Sequence, residues 1–235
     1  AAAGAIRSIN HPMTKPWHWW FEETELDQID TMEIWNDPTY PTNPEATEQT
    51  LRLWNALWND GRRVIGIGGS DTHMLPTESY TENGPPSLIG DPGTYVLADG
   101  LSAEDILQAV RLGRVYVSRQ PELEHSYRIG GVEYPPGSDL TQAVEASPDG
   151  TVILKLSITK LEAGIIHMIE NGDTVLTHPF QGASELEFAF CWKDAGYRWR
   201  RLEIRTSSGE LLAFTNPVYQ GKRSPQLKTW KQLLQ

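Results

Sequence analysis

The sequence predicts an α/β domain followed by an all-β domain. From Ala5 to about Ser118, short apolar runs alternate with segments of helical period, the pattern of βα units around a mostly parallel sheet. Beyond Pro121 the helical period disappears, and alternating apolar and polar runs follow one another with turn residues between them. A third observation supports both domains as packed structures: 39% of the 235 residues are hydrophobic and nine are tryptophan, enough to bury a core.

In the first part the strand candidates are "AIRSIN" (5–10), "TMEIWN" (31–36), "RVIGIGG" (63–69) and "TYVLA" (94–98). Between the second and third runs "NPEATEQTLRLWNALWNDG", where Asn43 can cap a helix, Pro44 suits its first turn, and Leu51, Trp54, Leu57 and Trp58 share one face. Gly61 ends it. A second helix, "SAEDILQAVRLG", opens with a capping box from Ser102 to Asp105, is expected to turn Ile106, Leu107 and Val110 inward, and stops at Gly113. "RVYVS" (114–118) returns as a strand. In the second part "TVILKLSIT", "GIIHMIE", "LEFAF", "RRLEIRT" and "ELLAF" read as antiparallel strands, with Asn171-Gly172 a strong two-residue hairpin signal and "SSGE" a second turn. Six or seven short strands in this span point to a β-sandwich. The boundary expected from composition lies in the polar stretch "SRQPELEH", giving domains 1–120 and 121–222 and a tail 223–235.

The formal net charge of −11 disfavours a nucleic-acid partner, since a phosphate-backbone binder needs a basic surface. No stretch approaches the roughly 20 apolar residues that span a bilayer, and the first residues lack the pattern of a signal peptide, so no membrane partner is expected. Compartment stays open, with the cytoplasm weakly favoured. Cys191, the only cysteine, rules out an internal disulfide and a cysteine-built zinc site, and within "FAFCW" it reads as a small buried hydrophobe. Any metal must therefore be held by histidine and carboxylate.

In α/β domains ligands bind at the carboxyl ends of the parallel strands. Three predicted strands end in polar residues: "SIN" runs into His11-Pro12, "TMEIWN" carries Glu33 and Asn36, and "IGIGG" delivers Ser70, Asp71 and His73. Histidine nitrogen with aspartate oxygen suits zinc, manganese or iron, and a short strand-end loop can aim Asp71 and His73 at one point, with His11 as a third corner. The plainer reading remains beside this one: His11 as a packed loop residue, and Asp71 as a turn that closes a buried strand. A dinucleotide fingerprint fails because Asp71 stands where the third glycine belongs. A catalytic triad of Ser70, Asp71 and His73 fails because triad members come from separate segments. His18, within "KPWHWW", either lines a substrate mouth with its aromatic neighbours or packs as part of a lid. His125 falls near the expected linker, and His167 and His178 flank the Asn171-Gly172 hairpin as surface or cross-strand residues.

"SINHP", "MEIWN", "GIGGSDTH", "LQAVRLGRVYVS" and "AFTNPVY", in that order, resemble the carbaryl-hydrolase-like branch of the PHP (polymerase and histidinol phosphatase) superfamily. The resemblance implies a metal-dependent hydrolase on a distorted (β/α)7 barrel, followed by a sandwich module. It implies two or three divalent ions (manganese, zinc or iron), with His11, Asp71 and His73 as ligands and no catalytic base assigned. Glu33, Asn36, Ser70 and His18 would support the ligands or contact substrate. The substrate would be a small molecule carrying a phosphoester, amide, carbamate or ester bond. The His-x-His segment that opens PHP domains is not in this sequence, and a barrel takes about 250 residues, so 1–120 is expected to be the second half of one. The chain is then expected to be weakly active or inactive alone, and to pair with a missing amino-terminal half or with a second copy. A rival expectation is a non-catalytic module whose sandwich recognises a saccharide or a protein.

Overall fold

The computed structural model describes residues 4–74, 77 and 79–235. The protein is built mostly of antiparallel β-sheet with few helices, and it divides into two compact units, residues 1–95 with 224–235, and residues 96–223. The expected boundary near 120 thus differs from this division, which falls inside a strand, and the tail expected at 223–235 belongs largely to the first unit.

The first unit contains a three-stranded parallel sheet in the order β1 (Ser8–Ile9), β2 (Thr31–Asn36), β3 (Ile65–Gly69). The run "AIRSIN" yields only two residues of strand. Helix α1 (Asn43–Asn59) connects β2 to the parallel β3, and its predicted face is real: Leu51, Trp54, Leu57 and Trp58 are all buried. The Trp54 and Trp58 indole N–H groups both donate to the Val64 carbonyl, at 2.7 and 3.0 Å, so each large ring buries without leaving its one donor unmet. The helix begins one residue earlier than expected: Thr42 is the cap, and the Asn43 amide is committed to the β2 end instead. Gly66 is required by packing, because a Cβ there would lie 2.8 Å from Trp54 and 2.9 Å from Ile34. Among the described residues no barrel closes; the parallel part is an open three-stranded sheet.

The carboxyl-terminal residues are tied to this unit by the α1 end. Asp60 accepts from the Gln226 and Leu227 amides, Arg62 donates to the Leu227 carbonyl, and the short helix Trp230–Leu233 opens with a capping box of Thr229 and Gln232. Strand β4 (Gly93–Val96) carries the division between the units.

The second unit holds α2 (Ala103–Arg111), β5 (Val115–Ser118), β6 (Glu122–Ile129), β7 (Val132–Tyr134), α3 (Thr141–Ala146), β8 (Thr151–Thr159), β9 (Ala163–Glu170), β10 (Asp173–Gln181), β11 (Ser184–Cys191), β12 (Arg198–Arg205), β13 (Leu211–Thr215) and β14 (Val218–Gln220). One sheet runs β10-β9-β12-β13-β5, with β14 also on β12; the other runs β11-β8-β6-β7. Alternate residues of both, among them Tyr127, Leu154, Leu156, Ile166, Met168, Leu202 and Ile204, form one core. Asn171 (φ 49°) and Gly172 (φ 97°) make the expected two-residue hairpin between β9 and β10; both positive φ values match the twist of the strands.

Two expectations are corrected here. Ile106 and Leu107 of α2 are 37% and 38% exposed; Ala109 is the buried residue of the helix and Val110 is half-buried. Cys191 is exposed, because β11 alternates strictly and places it on the outward side with Glu185 and Glu187. Among the described residues, no helix is long and apolar enough to cross a membrane.

Candidate metal and substrate site

The carboxyl ends of β1, β2 and β3 open on one cavity of about 380 Å³. His11 follows β1, Asn36 ends β2, and Asp71 and His73 follow β3; all four line it. Parallel pairing puts these ends on the same edge of the sheet, so residues far apart in sequence converge without any local motif linking them.

His11 and Asp71 share an unusual backbone. Their φ values are 34° and 50°, a left-handed conformation that costs a side-chain-bearing residue roughly 1–3 kcal/mol and persists only where surrounding contacts hold it. For His11 the contacts are visible. Its backbone N–H donates to Glu33 Oε2 at 2.5 Å, and its Nδ1 lies 2.9 Å from the Trp17 carbonyl. A carbonyl only accepts, so Nδ1 donates, and of the two neutral tautomers this selects the one whose Nε2 lone pair can take a metal. Asp71 and His73 are neighbours, with Oδ1 and Nε2 3.7 Å apart, and both side chains are largely exposed.

Behind this rim runs a polar relay. Asn36 Nδ2 donates to Glu33 Oε1 at 3.3 Å, and Asn43 Nδ2 donates to Asn36 Oδ1 and to the Asp37 carbonyl, both at 2.9 Å. Burial pushes the Glu33 carboxyl above the usual carboxylate range, against the hydrogen bonds from His11 and Asn36 that favour its charged form; Asp71 nearby adds to the rise. Glu33 holds the His11 backbone rather than facing the cavity. Ser70 and His18 are outside the lining. The Ser70 carbonyl lies 3.5 Å from the Ser87 hydroxyl, and His18 stacks on Trp20 with ring centroids 4.2 Å apart. It is Trp17 that lines the cavity, beside Tyr40 and Tyr80.

Sequence reasoning missed Asp37 and Asn43. Both line the cavity and both are about 1% exposed. Asp37 directly follows Asn36 at the end of β2, a position whose polarity was there to be read. Asn43 was assigned to the helix cap, which obscured it.

Histidine nitrogens and carboxylate oxygens around one cavity are the donor chemistry of a borderline divalent ion. Among the described residues, no three histidine, cysteine, aspartate or glutamate side chains stand within reach of one ion as placed, so ligation by all of His11, Asp71 and His73 requires side-chain adjustment at the exposed Asp71 and His73. Comparison with protein-family models, with curated proteins and with solved structures finds no match for this chain.

Proposed function

We propose that the cavity is the site of a metal-dependent hydrolase of the PHP type, with His11, Asp71 and His73 as ligands of a divalent ion of manganese, zinc or iron, and Glu33 and Asn36 as their support. The observation that carries this reading is the convergence of His11 and Asp71, each in the left-handed region, with His73 on one cavity at the ends of adjacent parallel strands. A bound divalent ion would supply a water of lowered pKa and a positive charge for the developing oxyanion. The chain's own residues would do the rest. The Trp17 carbonyl fixes the His11 ring, Glu33 and Asn36 keep the loop after β1 in register, and the aromatic wall limits water around a small substrate. A half-barrel with a sandwich remains part of this proposal as the finer description of the fold.

The test is hydrolysis of 4-nitrophenyl phosphate, an aryl ester and an aryl carbamate by the manganese- or zinc-loaded chain. Turnover of at least one, lost on chelation and in Asp71→Ala, is expected; turnover that survives both contradicts the reading. A second reading has its own observation: a cavity of about 520 Å³ on the sandwich, lined by Gly164, Ile165, Phe180 and Thr206 among others. Among the described residues its wall has no titratable side chain, so it suits recognition of a saccharide or protein rather than catalysis. A loaded chain that hydrolyses none of the three bonds favours that binding module.

A further inference from the structure

We propose that the cavity holds a subsite for an ammonium group, formed by Asp37, Asn43 and the rings of Trp17, Tyr40 and Tyr80, and that the molecule bound there carries an amine. This deepens the reading above and rests on it only in placing the substrate in the same cavity.

Asp37 uses one oxygen locally: Oδ1 accepts from the Thr39 amide at 2.8 Å and the Thr39 hydroxyl at 2.6 Å. Its Oδ2 is buried without a hydrogen-bond partner. Asn43 repeats the pattern. Its Nδ2 donates to two acceptors, Asn36 Oδ1 and the Asp37 carbonyl, which fixes the amide orientation and leaves Oδ1 as a buried acceptor, also without a partner. Buried polar atoms are almost always paired, so two unmet oxygens on neighbouring residues that both line one cavity point to a donor from outside the chain.

Three kinds of donor compete for that role. A hard cation such as magnesium or calcium gathers about six or more oxygens, whereas this wall offers two amid aromatic rings that do not ligate such ions. A neutral hydroxyl would satisfy one acceptor and leave the Asp37 charge uncompensated, and among the described residues no lysine or arginine lines the cavity to compensate it. An ammonium group offers several donors and a full charge. The rings favour it further: Trp17 meets Tyr40 edge-on at 5.7 Å and Tyr40 meets Tyr80 at 5.0 Å, a continuous wall whose electron-rich faces attract cations.

The experiment is calorimetric titration of the full chain with 2-phenylethylammonium and with its neutral isostere 2-phenylethanol, alongside a manganese titration. The amine is expected to bind about ten-fold tighter than the alcohol, and Asp37→Asn, which keeps the Thr39 contacts, to reduce it to the alcohol's level. Trp17→Ala removes a ring that is 59% exposed, so the fold is not at risk, and is expected to weaken the amine several-fold. His73→Ala should lose manganese and retain the amine. Equal binding of amine and alcohol, or amine binding indifferent to Asp37→Asn and Trp17→Ala, overturns the subsite. Manganese uptake without amine preference sinks this inference alone, and amine preference without manganese uptake sinks only the metal reading. Loss of manganese in Asp37→Asn with no amine preference makes Asp37 a ligand and overturns the subsite as well.

Discussion

His125 shows how one buried side chain sets a pH dependence of the whole fold. It lies on β6 with its Nε2 buried and without a partner, and burial lowers its pKa to about 4, from 6.5. The folded pKa is depressed, so between pH 6.5 and 4 the unfolded chain binds the extra proton. Stability from keeping this ring neutral is present at neutral pH and is lost as the pH falls through that window. A phenylalanine in its place has no such proton to gain. The His125→Phe variant is therefore expected to lose about 2 kcal/mol less than the wild type between about pH 7 and pH 4.5, measured by urea unfolding at the two values; equal losses would show that the ring is solvated. The sequence marked His125 only as a linker neighbour, because its burial depends on a pairing with Leu156 across the sheet that no local pattern announces. The opposite holds at His11, Asp71 and His73. Their placement after apolar runs was readable, since strand ends collect ligands in any parallel sheet, but their left-handed backbones at His11 and Asp71 and the buried Asp37 and Asn43 behind them arise from contacts between segments.

The helix α1 and the strand β3 explain each other. The 3.6-residue spacing of Leu51, Trp54 and Trp58 was legible, and so was the apolar run of β3, but what Gly66 is for becomes visible only with Trp54 and Ile34 packed against it. The glycine there is a packing residue. Gly66→Ala would drive a methyl group into Trp54 and Ile34, and is expected to cost about 1–3 kcal/mol by overpacking, read as a lower urea midpoint with an unchanged slope. An unchanged midpoint would mean that α1 is free to shift away from the sheet. The helix α2 was legible as a helix and misread as to its face. Amphipathic spacing states which residues share a side, whereas burial depends on what packs against that side, and Ile106 and Leu107 stay more than a third exposed. The β9–β10 hairpin needed no such help, because Asn171-Gly172 specifies its turn locally.

For the whole molecule, the sequence conveyed the change from helical to alternating grammar and the antiparallel β-sheets that follow from it. It did not convey the division within β4 or the return of residues 224–235 to the first unit, which rests on Asp60 and Arg62 contacts more than a hundred residues distant in sequence. The acidic balance is repeated locally at the cavity, where Asp37 and Asp71 are among the lining residues and, among the described residues, no lysine or arginine is; acidic groups gathered in this way favour cations over anions. The claim on which the account turns is that His11, Asp71 and His73 hold a metal ion. Calorimetric titration of the chain with manganese and with zinc tests it most directly, comparing the wild type with Asp71→Ala and His73→Ala. The account predicts saturable binding by the wild type and a loss of at least about ten-fold in affinity for each variant, with their folds retained. Equal binding by all three proteins, or none by the wild type, would contradict it.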